Sequence, residues 1–293
     1  MFIKDLVSVI VPTHNRAHML EKAISSIRKQ TYKNVEIIIV ANGCKDNTTE
    51  VGSKLESKYE NVKFLDFIEP LGGAEARNKG LDAVSGEYIA FLDDDDEWLE
   101  NKLEMQVNIL KKSQYCIVGC NYNIMYTNNK IRPIRAFKNE IKTNDMLYEN
   151  ILGSYSFCMT KNIYINEVRI NPDLKSSQDW DLWLKILTKY NMDAYILDDI
   201  LVNYYEHDEK ITKNYKNKIK SEYIFIDYWY KYFDKNMLNY HKMRFDLIKL
   251  LSGEKKKYEY IVKLFKYLFI ILKSPYKTNF LTYYIYIIRV FIK

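Results

Sequence analysis

Four carboxylates stand side by side at Asp93-Asp94-Asp95-Asp96, directly after the apolar run Tyr88–Leu92. Adjacent carboxylates repel one another unless positive charge compensates them. A hard divalent cation does this through oxygen ligands, usually one or two carboxylates together with substrate phosphates. The structural alternative is an acidic first turn for a helix beginning near Trp98, which the helix dipole would favour. No helix start needs four acids, however, and their placement at a strand end points to metal chemistry. A second acidic pair lies in Ser177-Gln178-Asp179-Trp180-Asp181-Leu182-Trp183-Leu184. There Leu182, Trp183 and Ile186 describe a buried helical stripe, with Asp179 and Asp181 in its first turn, where an N-cap is the ordinary role of an acid.

The elements that must carry these residues alternate. Leu6–Val11 and Val35–Val40 are short β-branched runs of the kind expected for strands covered on both faces, as are Val62–Phe67 and Tyr88–Leu92. Between them fall helical patterns: Met19, Leu20, Ala23, Ile24 and Ile27; Val51 and Leu55 after a cap at Asp46 or Asn47; and Ala76 to Ala83 after Gly72-Gly73. A fourth helix is expected to show Leu99, Leu103, Val107 and Leu110 to the core. Strand–helix alternation at this spacing predicts right-handed crossovers and a parallel sheet. Sites in such sheets lie at the C-terminal strand ends, so the loops 12–16, 41–46, 70–77 and 93–97 are the candidates. From 115 to about 205 the pattern is more β-like, with Tyr115–Tyr122, a turn at Asn128-Asn129, Ser156–Thr160 and one helix from about Asp179. Beyond 214 the pattern reads as helical.

Composition excludes several classes. The chain has 293 residues, 47% hydrophobic and 28% charged, which is a globular and not a disordered balance. Nine Gly and five Pro exclude collagen-like and low-complexity character. Cys44, Cys116, Cys120 and Cys158 form no CxxC pair and read as reduced thiols in a cytosolic protein, Cys116 and Cys120 facing a core from one strand. No secretory leader and no membrane-spanning segment is expected. Pro12–Arg16 contains no glycine, which speaks against a sugar nucleotidyltransferase, and the lack of GxGxxG speaks against a dinucleotide oxidoreductase.

Taken together, Val7-Ser8-Val9-Ile10-Val11-Pro12-Thr13-His14-Asn15-Arg16, the Asn42-Gly43 turn, Ala76-Arg77-Asn78-Lys79-Gly80 and Phe91-Leu92-Asp93-Asp94-Asp95-Asp96 resemble the family 2 inverting glycosyltransferases. The resemblance covers about residues 6–215. It implies an α/β GT-A fold, a Rossmann-like and mostly parallel sheet, over residues 1–213. Residues 1–112 would be the nucleotide-sugar half and 113–213 the acceptor half. It further implies a nucleotide-sugar donor, UDP-linked by preference, held with Mn²⁺ or Mg²⁺ by the Asp-x-Asp motif Asp93-Asp94-Asp95. By this resemblance Asp95 is the direct metal ligand, and Asp93 and Asp94 face the donor's ribose and sugar. Pro12, Thr13, His14, Asn15 and Arg16 form the base-and-ribose cradle, His14 standing where an aromatic ring often stacks on uracil. Arg77 matches a donor-contacting position. Ala41-Asn42 departs from the family's acidic pair; an amide such as Asn42 offers both an acceptor and a donor to a base edge. Asp179 matches the family's base, since inversion by direct displacement needs one carboxylate and no enzyme nucleophile. Gln178 replaces a usual Glu, and Asp181 reads as structural. His207 falls where the family often places a His near the metal or diphosphate.

The formal charge of +6 hides an asymmetry. Residues 240–293 hold twelve Lys/Arg against three Asp/Glu, so the preceding body is slightly acidic. Lys255-Lys256-Lys257 precedes an apolar stripe of Tyr258, Ile261, Val262, Phe265, Leu268, Phe269 and Leu272, and a second apolar stretch runs from Phe280 to Ile292. Residues 214–293 are therefore expected to form a basic, aromatic helical extension that attaches peripherally to the inner face of the cell membrane. Packing on the catalytic domain or on a second copy of the chain is the alternative. No nucleic-acid partner is expected. The resemblance implies a glycan acceptor, read here as lipid-linked, in surface-glycan synthesis; a catalytically weak glycan-binding or scaffold relative is the competing class.

Overall fold

The computed structural model describes residues 2–206 and 215–252. The tail beyond Ser252 and the segment around His207 lie outside the described residues, so the expectations for His207 and for the basic stripe are carried by sequence alone. The chain divides into two compact units, residues 1–172 with 178–210 and residues 173–177 with 211–293.

In the first unit, β1 (Ile3–Thr13) and β2 (Val35–Asn42) pair in parallel, Val7 opposite Val35 and Thr13 opposite Ala41. β3 (Val62–Phe67) joins β2, and β4 (Gly86–Phe91) joins the other side of β1, both in parallel. The apolar runs are strands because both sheet faces are covered: Val9, Ile10, Val11, Ile38, Ile39, Ile89 and Phe91 are all fully buried. Ile10 stands opposite Phe91, so the residues after Phe91 emerge beside Pro12 and Thr13. This register brings three of the four candidate loops to one edge.

Helix α1 (Ala17–Arg28) buries Leu20, Ala23, Ile24 and Ile27, as its spacing predicts, while Met19, expected on the same face, is only half-buried. In α2 (Thr48–Lys58) the expected core residues Val51 and Leu55 are only half-buried. The helix meets β3 through buried Gly52, where an added Cβ would lie 2.2 Å from the Phe64 ring. Helix α3 (Gly73–Leu81) follows, buried through Ala76 and Gly80.

Beyond β4 the sheet changes character. Asp96–Trp98 form a short strand, β5, where a helix start was expected, and helix α4 begins at Lys102 (Lys102–Lys112). Trp98 is buried, and Leu99 is turned out with 36% of its surface exposed, whereas Leu103, Val107 and Leu110 are buried. The cause is a distant partner: β5 pairs antiparallel with β10 (Ala194–Tyr205), Asp96 opposite Tyr204 and Trp98 opposite Val202. β6 (Ile117–Met125) runs parallel to β10 and antiparallel to β9 (Met159–Lys161), which in turn pairs antiparallel with β4. The parallel arrangement thus holds for β3-β2-β1-β4, and the sheet continues as β9-β6-β10-β5 in mixed orientation. The Asn128-Asn129 turn is present, with Asn129 at φ 62°, and closes a hairpin from β6 to β7 (Ile131–Ile134). β8 (Glu140–Ile141) pairs with β10, and helices α5 (Thr143–Tyr148), α6 (Asn162–Ile165) and α7 (Gln178–Tyr190) complete the unit. Cys116, Cys120 and Cys158 are buried, Cys44 half-buried, and all four are free thiols.

In the second unit, α8 (Tyr215–Trp229) and α9 (Lys235–Leu251) pack as a helical pair. Their seam holds buried Phe225 and Trp229 and a charged group: Glu222 lies 3.7 Å from His241 Nδ1 and 3.3 Å from Arg244 Nη2. Ser221 Oγ accepts the backbone N–H groups of Lys175 and Ser176, which ties the 173–177 segment to α8. Among the described residues no helix is long and apolar enough to cross a membrane.

Candidate active site

The first wall of the site is the pair of loops after β1 and β2. His14 Nδ1–H donates to the Asn42 carbonyl at 2.5 Å, and Asn15, at φ 54°, accepts the Lys45 N–H at 2.6 Å. Pro12 and Thr13 are the last residues of β1, and Thr13 is buried. Asn42 is also buried, and its side-chain oxygen accepts the Leu71 N–H at 2.6 Å. One acceptor position of the amide is therefore engaged within the protein, and its N–H₂ is the part free of that bond. Gly43 turns the chain at φ 65° with Pro70 backbone atoms 2.7–2.8 Å from where a Cβ would stand. A Gly43→Ala substitution meets both a left-handed backbone and unyielding main chain. It should lower the unfolding free energy by about 1–3 kcal/mol in denaturant titration.

The acidic run is partitioned among separate partners. Asp93 pairs with Arg77 Nη2, accepts the Ser154 hydroxyl at 3.4 Å, and donates its own N–H to Ser156 Oγ at 3.1 Å. Arg77 comes from α3, donates to the Gly73 carbonyl at 2.9 Å, and lies 4.4 Å over the Tyr155 ring. Arg16 Nη1 bridges Asp94 at 2.9 Å and Asp95 at 3.1 Å. Burial raises the Asp94 carboxyl against the opposing pull of Arg16 and the Thr13 hydroxyl. Asp94, only 5% exposed, is thus packed inward against Arg16. Asp96 donates its backbone N–H to the Asp93 carbonyl at 3.0 Å, and this turn folds the run back on itself.

That turn makes a potential ion site. Oxygens of Asp93, Asp95 and Asp96 lie within 4.8 Å of one another, an all-carboxylate set suited to a hard divalent cation. Asp96, which the sequence placed in the run without a role, joins Asp95 here. Asp93 and Asp95 also carry arginine partners, so positive charge already stands beside the cluster. Manganese and magnesium both fit this donor chemistry.

Asp179 sits in the first turn of α7, its Oδ1 accepting the Trp180 N–H at 2.7 Å. Burial pushes its carboxyl up to about 6; the Trp180 N–H opposes this, the Asp93 charge adds to it, and Arg77 opposes it. Asp179 therefore lies within the electrostatic reach of both Asp93 and Arg77. Asp181, two residues on, is buried and paired to Lys185 Nζ at 2.5 Å, which is a structural role. The fold brings Arg16, Arg77, Asp93, Asp94, Asp95 and Asp179 into one region and His14, Asn15 and Asn42 into the adjoining cradle.

Several participants had no local signal in the sequence. Tyr155 is 4% exposed, packs its ring against Phe91 and Trp183, and supports Arg77, while its hydroxyl makes no hydrogen bond among the described residues. Ser154 and Ser156 flank it and hold Asp93. Tyr204 is raised well above the ordinary phenol value by burial and by the charges of Asp96, Asp93 and Asp95. These residues reach the site only because β9 inserts beside β4 and β10 pairs with β5.

The fold resembles that of S. aureus TarS. Its residues 1–349 superpose with a TM-score of 0.59 at 20% identity, covering 75% of this chain and 65% of that one. A crystal structure of the same fragment described as a complex with UDP-GlcNAc gives a TM-score of 0.61 at 19% identity, covering 75% of this chain and 66% of that one. The fold is thus of the GT-A type. Residues 8–167 match Glycosyl transferase family 2, and the chain belongs to that family. It is 33% identical over 221 residues to the Escherichia coli UDP-Glc:alpha-D-GlcNAc-diphosphoundecaprenol beta-1,3-glucosyltransferase WfgD, covering 74% of this chain and 84% of that protein. The putative teichuronic acid biosynthesis glycosyltransferase TuaG of Bacillus subtilis is 26% identical, covering 87% of this chain and 98% of its own. The protein is an enzyme, a family 2 glycosyltransferase of the bacterial surface-polysaccharide type.

Proposed function

We propose that the protein transfers one sugar, with inversion, from a UDP-sugar to a hydroxyl of a lipid-linked glycan. The observation that carries this is the single carboxylate Asp179, raised to about 6 and within the field of Asp93 and Arg77 at the acidic run. The UDP-sugar and diphosphoundecaprenol named for the Escherichia coli relative support the donor and acceptor classes, and the UDP-GlcNAc of the TarS complex supports the donor.

In this reading the loops of Pro12–Arg16 and Asn42 receive the nucleotide, with His14 held by its bond to the Asn42 carbonyl. Asp95, with Asp93 and Asp96, would hold a divalent cation, and His207 would join it from outside the described residues. Such a cation supplies Lewis-acid stabilisation for the departing diphosphate. Arg77, fixed by Gly73 and Tyr155, orients the donor beside Asp93. Asp179, held at Oδ1 by the Trp180 N–H, takes the acceptor's proton. The acceptor oxygen then bonds to the anomeric carbon from the face opposite the nucleotide, and the bonding pair of the old C–O bond leaves with the diphosphate. A panel of nucleotide sugars with Mn²⁺, read by release of nucleotide, tests the assignment. Turnover of UDP-sugars is expected, and a preference for a non-uridine donor overturns it.

The basic tail supports a second part of the proposal: peripheral attachment to the inner membrane face. Cutting near residue 239 would strip His241 and Arg244 from buried Glu222, so the informative truncation ends at Ser252. Full-length protein should sediment with anionic vesicles in low salt and the truncated form should not. Equal sedimentation of the two forms removes the tail from that role.

A further inference from the structure

The cradle and the acidic run are joined by a hydrogen-bonded path through Thr48, the first residue of α2 and fully buried. A hydroxyl has one proton to give, and Thr48 gives it to Asp46 Oδ1 at 2.5 Å. Its oxygen is then an acceptor, and it takes the Arg16 backbone N–H at 3.2 Å. Arg16 precedes α1 and carries the guanidinium that bridges Asp94 and Asp95. Asp46 completes the arrangement by accepting the Thr48 N–H at 3.0 Å and the Ala17 N–H at 3.4 Å, so one carboxylate serves the first turns of both helices. Burial would raise that carboxyl, but the bonds from Thr48 and Ala17 outweigh it and hold it low. His14, Asn15 and Ala17 also link the two loops, yet the Thr48 bond is the one made to Arg16 itself.

We propose that the Thr48 hydroxyl is a positioning group for the donor: it fixes Arg16, and through Arg16 the Asp94–Asp95 carboxylates, against the Asn42–Asp46 side of the cradle. The inference rests on the reading of the cradle as the nucleotide site. Thr48 touches no substrate, so its loss should loosen donor binding and leave the chemical step intact.

The test is isothermal titration of the full-length chain with UDP in the presence of Mn²⁺. Thr48→Val, which keeps the shape and removes the hydroxyl, is expected to raise the UDP dissociation constant about tenfold. The donor KM should rise in parallel, with kcat at saturating donor unchanged. Thr48→Ser, which restores the hydroxyl, should return the dissociation constant to near the wild-type value. Thr160→Val removes another fully buried hydroxyl, bonded to the Cys116 carbonyl at 2.7 Å on β9. It should lower the melting temperature comparably and leave UDP affinity as it was. Wild-type affinity in Thr48→Val, or an equal loss in Thr160→Val, overturns the positioning role. Absence of binding by the wild-type chain to UDP, GDP, ADP and dTDP alike overturns the cradle reading and this inference with it, an outcome visible before any variant is made.

Discussion

Asp179→Asn should reduce kcat by about 10²- to 10⁴-fold, the range contributed by a positioned general base. The same variant should be more stable than the wild type. Burial raises the Asp179 carboxyl to about 6, so the folded state holds its proton more tightly than the unfolded chain does. A carboxylate shifted upward costs stability once it ionises. That cost is absent below about pH 4, grows as pH rises towards 6, and is complete above it. The asparagine variant escapes it and should gain up to about 2 kcal/mol at pH 7, allowing for partial solvent access. Loss of turnover together with a raised melting temperature is a combination that general misfolding cannot produce. The wild-type kcat/KM should fall on the acid side with a single-proton limb near pH 6, since the base must be ionised to accept a proton. Full turnover in Asp179→Asn, or a flat profile from pH 5 to 8, would remove Asp179 from the role.

Lys102 carries the second large effect, and it concerns the fold. The side chain is fully buried, donates to Gln106 Oε1 at 2.7 Å and lies 4.0 Å from the Trp98 ring centre. Gln106 spends its amide N–H₂ on the carbonyls of Val118 and Phe157, which leaves its oxygen in need of a donor. Lys102 supplies it, but the charged ammonium is poorly solvated there, and burial lowers its pKa to about 8. The unfolded chain keeps the proton to higher pH than the folded one. Stability should therefore rise with pH between about 8 and the ordinary lysine value, contrary to the common trend of alkaline loss. Measured by urea unfolding against Lys102→Met, the wild type should gain about 2–3 kcal/mol relative to the variant between pH 7 and pH 10. A difference that stays constant with pH would mean that buried Lys102 holds its proton as firmly as the unfolded chain does, and would overturn the lowered pKa.

Local pattern determined a good deal of this protein. The four parallel strands and the helices between them follow from periodicities that adjacent residues express by themselves, because a strand or helix face repeats within a few positions. The acidic run at a strand end, the cradle loop Pro12–Arg16 and Arg77 were legible for the same reason, each being a short segment at a strand end or helix start. Asp179 was legible as a first-turn acid of a helix.

Tertiary structure decided what no local pattern encodes. Asp96–Trp98 became a strand and not a helix start because β10 offers a partner about a hundred residues away. That pairing exposes Leu99 and draws Tyr204 to the acids. Ser154, Tyr155 and Ser156 acquired their roles when β9 entered beside β4. Which arginine faces which carboxylate was likewise set by geometry: Arg16 takes Asp94 and Asp95, and Arg77 takes Asp93. Sequence supplied the charges and placed them on loops at one edge of a sheet. Their pairing, the burial that shifts Asp179 and Lys102, and the path through Thr48 depend on distances between segments, which exist only once the chain has folded.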